Sequence, residues 1–138
     1  MEAERASVLR TKSLAFAIRT VRLCKVLSGR GDERILLKQL LRSGTAVGAM
    51  VRESEQAQSR ADFVNKLSIA LKEANETDYW LELLRDTSSL TGKEYESISA
   101  DCRELLRLLV SSIKTAKNSI SSKTNAIDKE KRTPTANS

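Results

Sequence analysis

LKQLLRSGTAVGAMVRESEQAQSRADFVNKLSIALKEANETDYWLELL, from Leu37 to Leu84, holds two long helical patterns, no proline and only two glycines, Gly44 and Gly48. Four residues apart on a helix, the glycines stack on one face a turn apart, where each alone costs about 1 kcal/mol against alanine. Leu37, Leu40, Leu41, Val47 and Val51 share their stripe, so the pair belongs inside a helix seam where backbones approach closely. A phosphate-cradling loop is excluded by the lack of a preceding strand and of a following Gly-Lys-Ser/Thr.

Outward from this run the chain punctuates itself. Ser59 with Asp62, and Thr91 with Glu94, have the spacing of capping boxes, which start a third helix near Arg60 and a fourth near Gly92. Gly29 suits the left-handed position after a first helix, and Asp32 suits the cap of a second that runs from about Glu33 to Gln58. The first helix spans Lys12 to Leu27, with Leu14, Ala17, Ile18, Val21 and Cys24 as one apolar part and Phe16, Leu23 and Leu27 extending it. The third buries Phe63, Val64, Leu67, Ala70, Leu71, Ala74, Leu81 and Leu84, with a loose turn expected at Thr77 and Asp78. The fourth has the cleanest stripe, from Tyr95 and Ile98 through Cys102, Leu105 and Leu109 to Ile113, Ala116 and Ile120. Short connections between such helices predict an all-α, antiparallel up-down-up-down four-helix bundle over 13–120, with a lead-in at 1–12 and a disordered basic C-terminal tail at 121–138.

Ser43-Gly44, Gly48, Arg52-Glu53, Ala57-Gln58, Asp62-Phe63, Lys66-Leu67, the string Ala70-Leu71-Lys72-Glu73-Ala74 and Tyr79-Trp80-Leu81 carry a family resemblance. Together they closely resemble the four-helix-bundle proteins encoded in intervening sequences of bacterial large-subunit ribosomal RNA genes. A looser resemblance extends to the accessory variability proteins of diversity-generating retroelements. The first implies the fold and a ring-shaped homopentamer; the second implies a reverse transcriptase as partner.

The 138 residues make one domain, and aromatics at 4% leave the core to Leu, Ile, Val and Ala, which suits packed helices. No apolar run spans a bilayer and the N-terminus lacks a signal peptide's pattern, so a cytoplasmic protein without a membrane partner is expected. Cys24 and Cys102 lack metal or redox spacing and read as reduced core residues. With no histidine, the commonest general base and metal ligand are missing, so no enzyme, metal or cofactor is expected. Glu73 and Glu76 read as solvated or salt-bridged rather than catalytic.

Net charge is +6, and residues 1–31 carry seven basic side chains against two acidic. Antiparallel neighbours one and four then place Lys12, Arg19, Arg22, Arg103, Arg107, Lys114 and Lys117 on a common side, a surface for the phosphates of RNA or DNA. Absence of stacking aromatics there makes backbone-directed, salt-dependent binding the expectation. Helix one is apolar over most of its girth, and helices two and three carry second patches at Ile35, Ala46, Ala49, Met50, Ile69 and Trp80. Such a surplus predicts a homo-oligomer with those six residues at its interface. The rival reading is a protein-interaction scaffold that docks a partner on the apolar and acidic face of helix three.

Overall fold

The computed structural model describes residues 2–132. Its elements are α1 (Glu2–Gly29), α2 (Arg34–Ser54), α3 (Arg60–Asp86) and α4 (Gly92–Arg132). Each helix packs on the next, α4 returns to touch α1, and α1 also reaches the diagonal α3 through the Glu2–Arg60 ion pair. Antiparallel order shows in the cross-links, since Arg5 meets Thr115, Arg19 meets Asp101 and Arg30 meets Glu94. Leu27, Leu40, Leu67, Leu81, Leu84, Leu105 and Leu109 fill the interior with Phe16, Val47 and Val51. Fully burying each such side chain stabilises the fold by about 1.5–3 kcal/mol.

The two α2 glycines receive α1. A Cβ on Gly44 would stand 2.6 Å from Thr20 Cγ2, and one on Gly48 would stand 3.3 Å from the Ser13 carbonyl oxygen. That contact turns α1 relative to its expected face: Leu9, Ser13, Phe16, Thr20, Cys24 and Leu27 are buried, while Leu14 and Ile18 are exposed and Ala17 and Val21 half-buried. The cause is steric, because only small side chains fit the close approach, and the hydroxyls find partners inside. Thr20 Oγ1 donates to the Phe16 carbonyl (2.9 Å) and Ser13 Oγ to that of Arg10 (3.3 Å).

A second buried hydroxyl pair removes the expected break in α3. Thr77 Oγ1 shares its hydrogen between Ser43 Oγ (3.0 Å) and the Glu73 carbonyl (2.7 Å), so the helix runs through Thr77 and Asp78.

Other boundaries move for local reasons. α1 begins at Glu2, since Leu9 is buried, Arg5 reaches Thr115 Oγ1 (2.5 Å) and Arg60 pairs with Glu2. The expected lead-in is thus packed helix, Met1 alone lying outside the described residues. After α1 the left-handed residue is Gly31 (φ +82), not Gly29. Asp32 N–H donates to Leu27 O (3.1 Å) and Gly31 N–H to Ser28 O (3.0 Å), which closes a Schellman motif. Glu33, not Asp32, then takes the N-cap position of α2, and without a side-chain cap. α2 ends at Ser54, whose hydroxyl donates to the Val51 carbonyl (2.6 Å). At α3, Ser59 Oγ accepts from Asp62 N (3.0 Å), but Asp62 reaches back to Gln58 N (3.4 Å) rather than to the serine. The Thr91–Glu94 box is fully reciprocal, at 3.1 and 3.0 Å.

α4 passes the expected end at Ile120 and continues to Arg132, with every side chain of 121–130 exposed. No helix breaker precedes Pro134, so a helix nucleated in the bundle propagates without tertiary support. The rest of the expected tail, 133–138, lies outside the described residues.

Candidate nucleic-acid interface

One exposed flank of α4 is a straight cationic ridge. Arg103, Arg107, Lys114 and Lys117 recur at helical spacing, all exposed, with half-exposed Val110 among them. From Arg103 to Lys117 the ridge is about 21 Å long at 1.5 Å per residue. Arg103 is tethered: it donates to Tyr95 Oη (3.3 Å) and stands 5.9 Å from the centroid of that ring, whose other cation is Arg85 at 4.2 Å. Arg107, Lys114 and Lys117 make no ion pair with any described residue.

The α1 cations divide differently. Lys12 is bonded to Glu104 (2.6 Å), and Arg19 to Asp101 (2.5 Å), Ser97 Oγ (2.8 Å) and the Ser97 carbonyl (3.2 Å). Arg22 is exposed, makes no ion pair with any described residue, and opens into a groove between α1 and α4 with Leu23, Val26, Lys93 and Ile98. Arg30 makes a two-pronged bond to Glu94 at 2.9 and 3.2 Å. That bond, with the Thr91 N–H, holds the Glu94 carboxyl at about 2, well below its usual range. Lys12 and Arg19 therefore strap the α1–α4 seam.

Sequence reasoning missed a second cationic surface, on the other side of α1. Lys25, Arg34 and Lys38 are exposed, make no ion pair with any described residue, and surround a groove between α1 and α2. The i,i+4 spacing of Arg34 and Lys38 was the available signal; the placement of Lys25 beside them across the turn is tertiary.

The six expected interface residues split by face. Arg42 on α2 bonds Glu73 (3.1 Å) and Glu76 on α3. Ala46 lies one turn after Arg42, Ile69 one turn before Glu73 and Trp80 one turn after Glu76, so these three line the α2–α3 seam. Met50 and Ile35 continue that row; Ile35 is the most exposed large apolar residue among those described, at 69%, whereas Met50 and Trp80 pack partly on their own core. Ala49 instead lines the α1–α2 crevice beside Leu14. Tyr79 stands 56% exposed with its ring edge-on to Trp80 at 5.0 Å, and the Trp80 Nε1 is buried without a partner among the described residues.

Neither cysteine is poised as a thiolate. Burial pushes the Cys24 thiol up to about 11 and that of Cys102 to about 12. Glu73 and Glu76 are tied to Arg42 at the surface. No described helix is long and apolar enough to cross a membrane.

No curated protein matches the chain. A crystal structure of a protein with unknown function from the S23 ribosomal protein family of Bacteroides thetaiotaomicron VPI-5482 is similar at 57% identity. The match covers 80% of this chain and 98% of that one, with a TM-score of 0.78. The family model for 23S rRNA-intervening sequence proteins matches residues 6–111, which takes in all of α2 and α3 and most of α1, and the chain belongs to that family.

Proposed function

We propose that this chain is a non-enzymatic, cytoplasmic, self-associating bundle that holds structured RNA or DNA by its phosphates. The observation that carries the reading is the α4 ridge, where Arg107, Lys114 and Lys117 have no anion of their own among the described residues. Arg103 supplies positive field beside it while bonded to Tyr95, whereas Lys12 and Arg19 are neutralised by Glu104 and Asp101. Phosphate contacts of this kind position a duplex without reading its sequence. The exposed apolar row on the α2–α3 seam supports self-association, which would repeat the ridge around an assembly. A reverse transcriptase is the protein partner implied by the looser family resemblance, and co-purification with one encoded nearby is its test.

The ridge is tested by a salt-gradient gel shift with a folded RNA hairpin. Arg107→Glu, Lys114→Glu and Lys117→Glu together should abolish retention at low salt, and the neutral Gln triple should lower the slope of log K against log salt by roughly 2 to 3. Unchanged retention in the Glu triple removes the ridge. The scaffold reading draws support from exposed Tyr79, and it is favoured if the wild type retains no nucleic acid at any salt.

A further inference from the structure

The groove between α1 and α2 beside Lys25 combines an apolar floor with three cations. It encloses about 510 Å³, its floor is Val21, Leu37 and Leu41, and Lys25, Arg34 and Lys38 stand around it. None of its lining residues is acidic, and none of those three cations is held by an ion pair among the described residues. By contrast, the α1–α4 groove contains Glu94, and its Arg19 is already bonded to Asp101.

An occupant must therefore bring negative charge together with a flat or apolar body. A second copy of the chain suits this poorly on its α3 face, where Glu73 and Glu76 are engaged by Arg42, Glu82 and Asp86 by Arg85, and Asp78 beside Tyr79 has a carboxylate oxygen buried. A nucleic-acid duplex suits it no better, since paired bases keep their flat faces stacked inside and present only edges, sugars and phosphates. A nucleotide freed from pairing supplies both parts.

We propose that the α1–α2 groove seats an unpaired nucleotide, its base over Val21, Leu37 and Leu41 and its flanking phosphates on Lys25, Arg34 and Lys38. The site rests on the nucleic-acid reading of the α4 ridge and adds to it a preference for single strands and bulges over continuous helix. Apolar contact replaces aromatic stacking, so the preference is tolerant of base identity.

The test compares an oligouridine single strand with a duplex of equal length at about 50 mM salt, and the quantity read is the ratio of the two affinities. Leu41→Gln, and separately Lys25→Gln with Arg34→Gln and Lys38→Gln, should each lower that ratio at least tenfold while leaving duplex affinity near wild type. Helical circular dichroism checks that these exposed substitutions keep the fold. The ridge triple should instead weaken both ligands together and leave the ratio in place. An unaltered ratio in the groove variants overturns the groove and spares the ridge; if sedimentation of those variants also shifts toward the single chain, a second copy covers this face. Retention of neither ligand by the wild type overturns both readings.

Discussion

Thr20 and Gly44 set the angle at which the first two helices meet. A methyl at residue 44 would lie 2.6 Å from Thr20 Cγ2 and 2.8 Å from Thr20 Oγ1, closer than real side chains approach. Thr20 cannot swing away freely, since it is fully buried and its hydroxyl is bonded to the Phe16 carbonyl. Overpacking of this kind costs about 1–3 kcal/mol, against which alanine returns about 1 kcal/mol of helix propensity. Gly44→Ala should therefore destabilise by up to about 2 kcal/mol, read as a shift in urea midpoint. Combining it with Thr20→Ala should recover most of that loss in a double-mutant cycle, because the clashing atoms are gone. Full additivity of the two losses would show that the glycine serves something other than this contact. That Gly44 and Gly48 belong in a seam was legible from their spacing. Which α1 residues meet them was not, because the expected face held Leu14 and Ile18, and the small polar Ser13 and Thr20 carry no apolar signal.

At the scale of elements, the bundle is closed by two kinds of seam. α1–α2, α2–α3 and α3–α4 are packed, whereas α1 and α4 touch least and are drawn together by polar straps. Exposed pairs such as Lys12–Glu104 contribute little individually. The Arg30–Glu94 strap has a distinct pH signature. Its carboxyl titrates at about 2 in the folded chain against an ordinary 4.5. A depressed carboxylate lends stability that is fully present above its unfolded value and is lost as pH falls through the folded one. Denaturant midpoints of the wild type should accordingly fall as pH drops from about 4.5 toward 2. Glu94→Gln keeps an acceptor for the Thr91 N–H but not the charge, so it should start lower at neutral pH and lose less across that window. Parallel wild-type and variant curves would mean that the strap does not hold the seam. The capping boxes, hairpin turns and α4 stripe made helix count and order readable beforehand. The extents of α1 and α4 were not, since the first depends on Leu9 and Arg5 finding α3 and α4, and the second on a polar segment staying helical without burial.

For the whole molecule, cations and apolar residues were visible in the sequence, but their commitments are tertiary. Among the seven cations expected at the nucleic-acid surface, Lys12, Arg19 and Arg103 are bonded within the bundle, and Arg22, Arg107, Lys114 and Lys117 make no ion pair among the described residues. The apolar surplus sorts in the same way. Once Met50 and Trp80 lean on their own core, what remains exposed on the α2–α3 seam centres on Ile35, with Ala46 a helical row away and Tyr79 across on α3. This face is on the far side of the bundle from the α1–α4 seam, so self-association through it would leave the α4 ridge open to phosphates. Ile35→Glu with Ala46→Glu should then shift sedimentation toward the single chain and abolish any dependence of the melting temperature on protein concentration. Helicity should be unchanged, because Ile35 is exposed and Ala46 only partly covered. Nucleic-acid affinity should fall through lost multivalency while its salt slope per chain holds, since every ridge cation remains. A wild type that sediments as one stable subunit at micromolar concentration would remove the assembly, and with it the reason for that row of apolar side chains to face solvent.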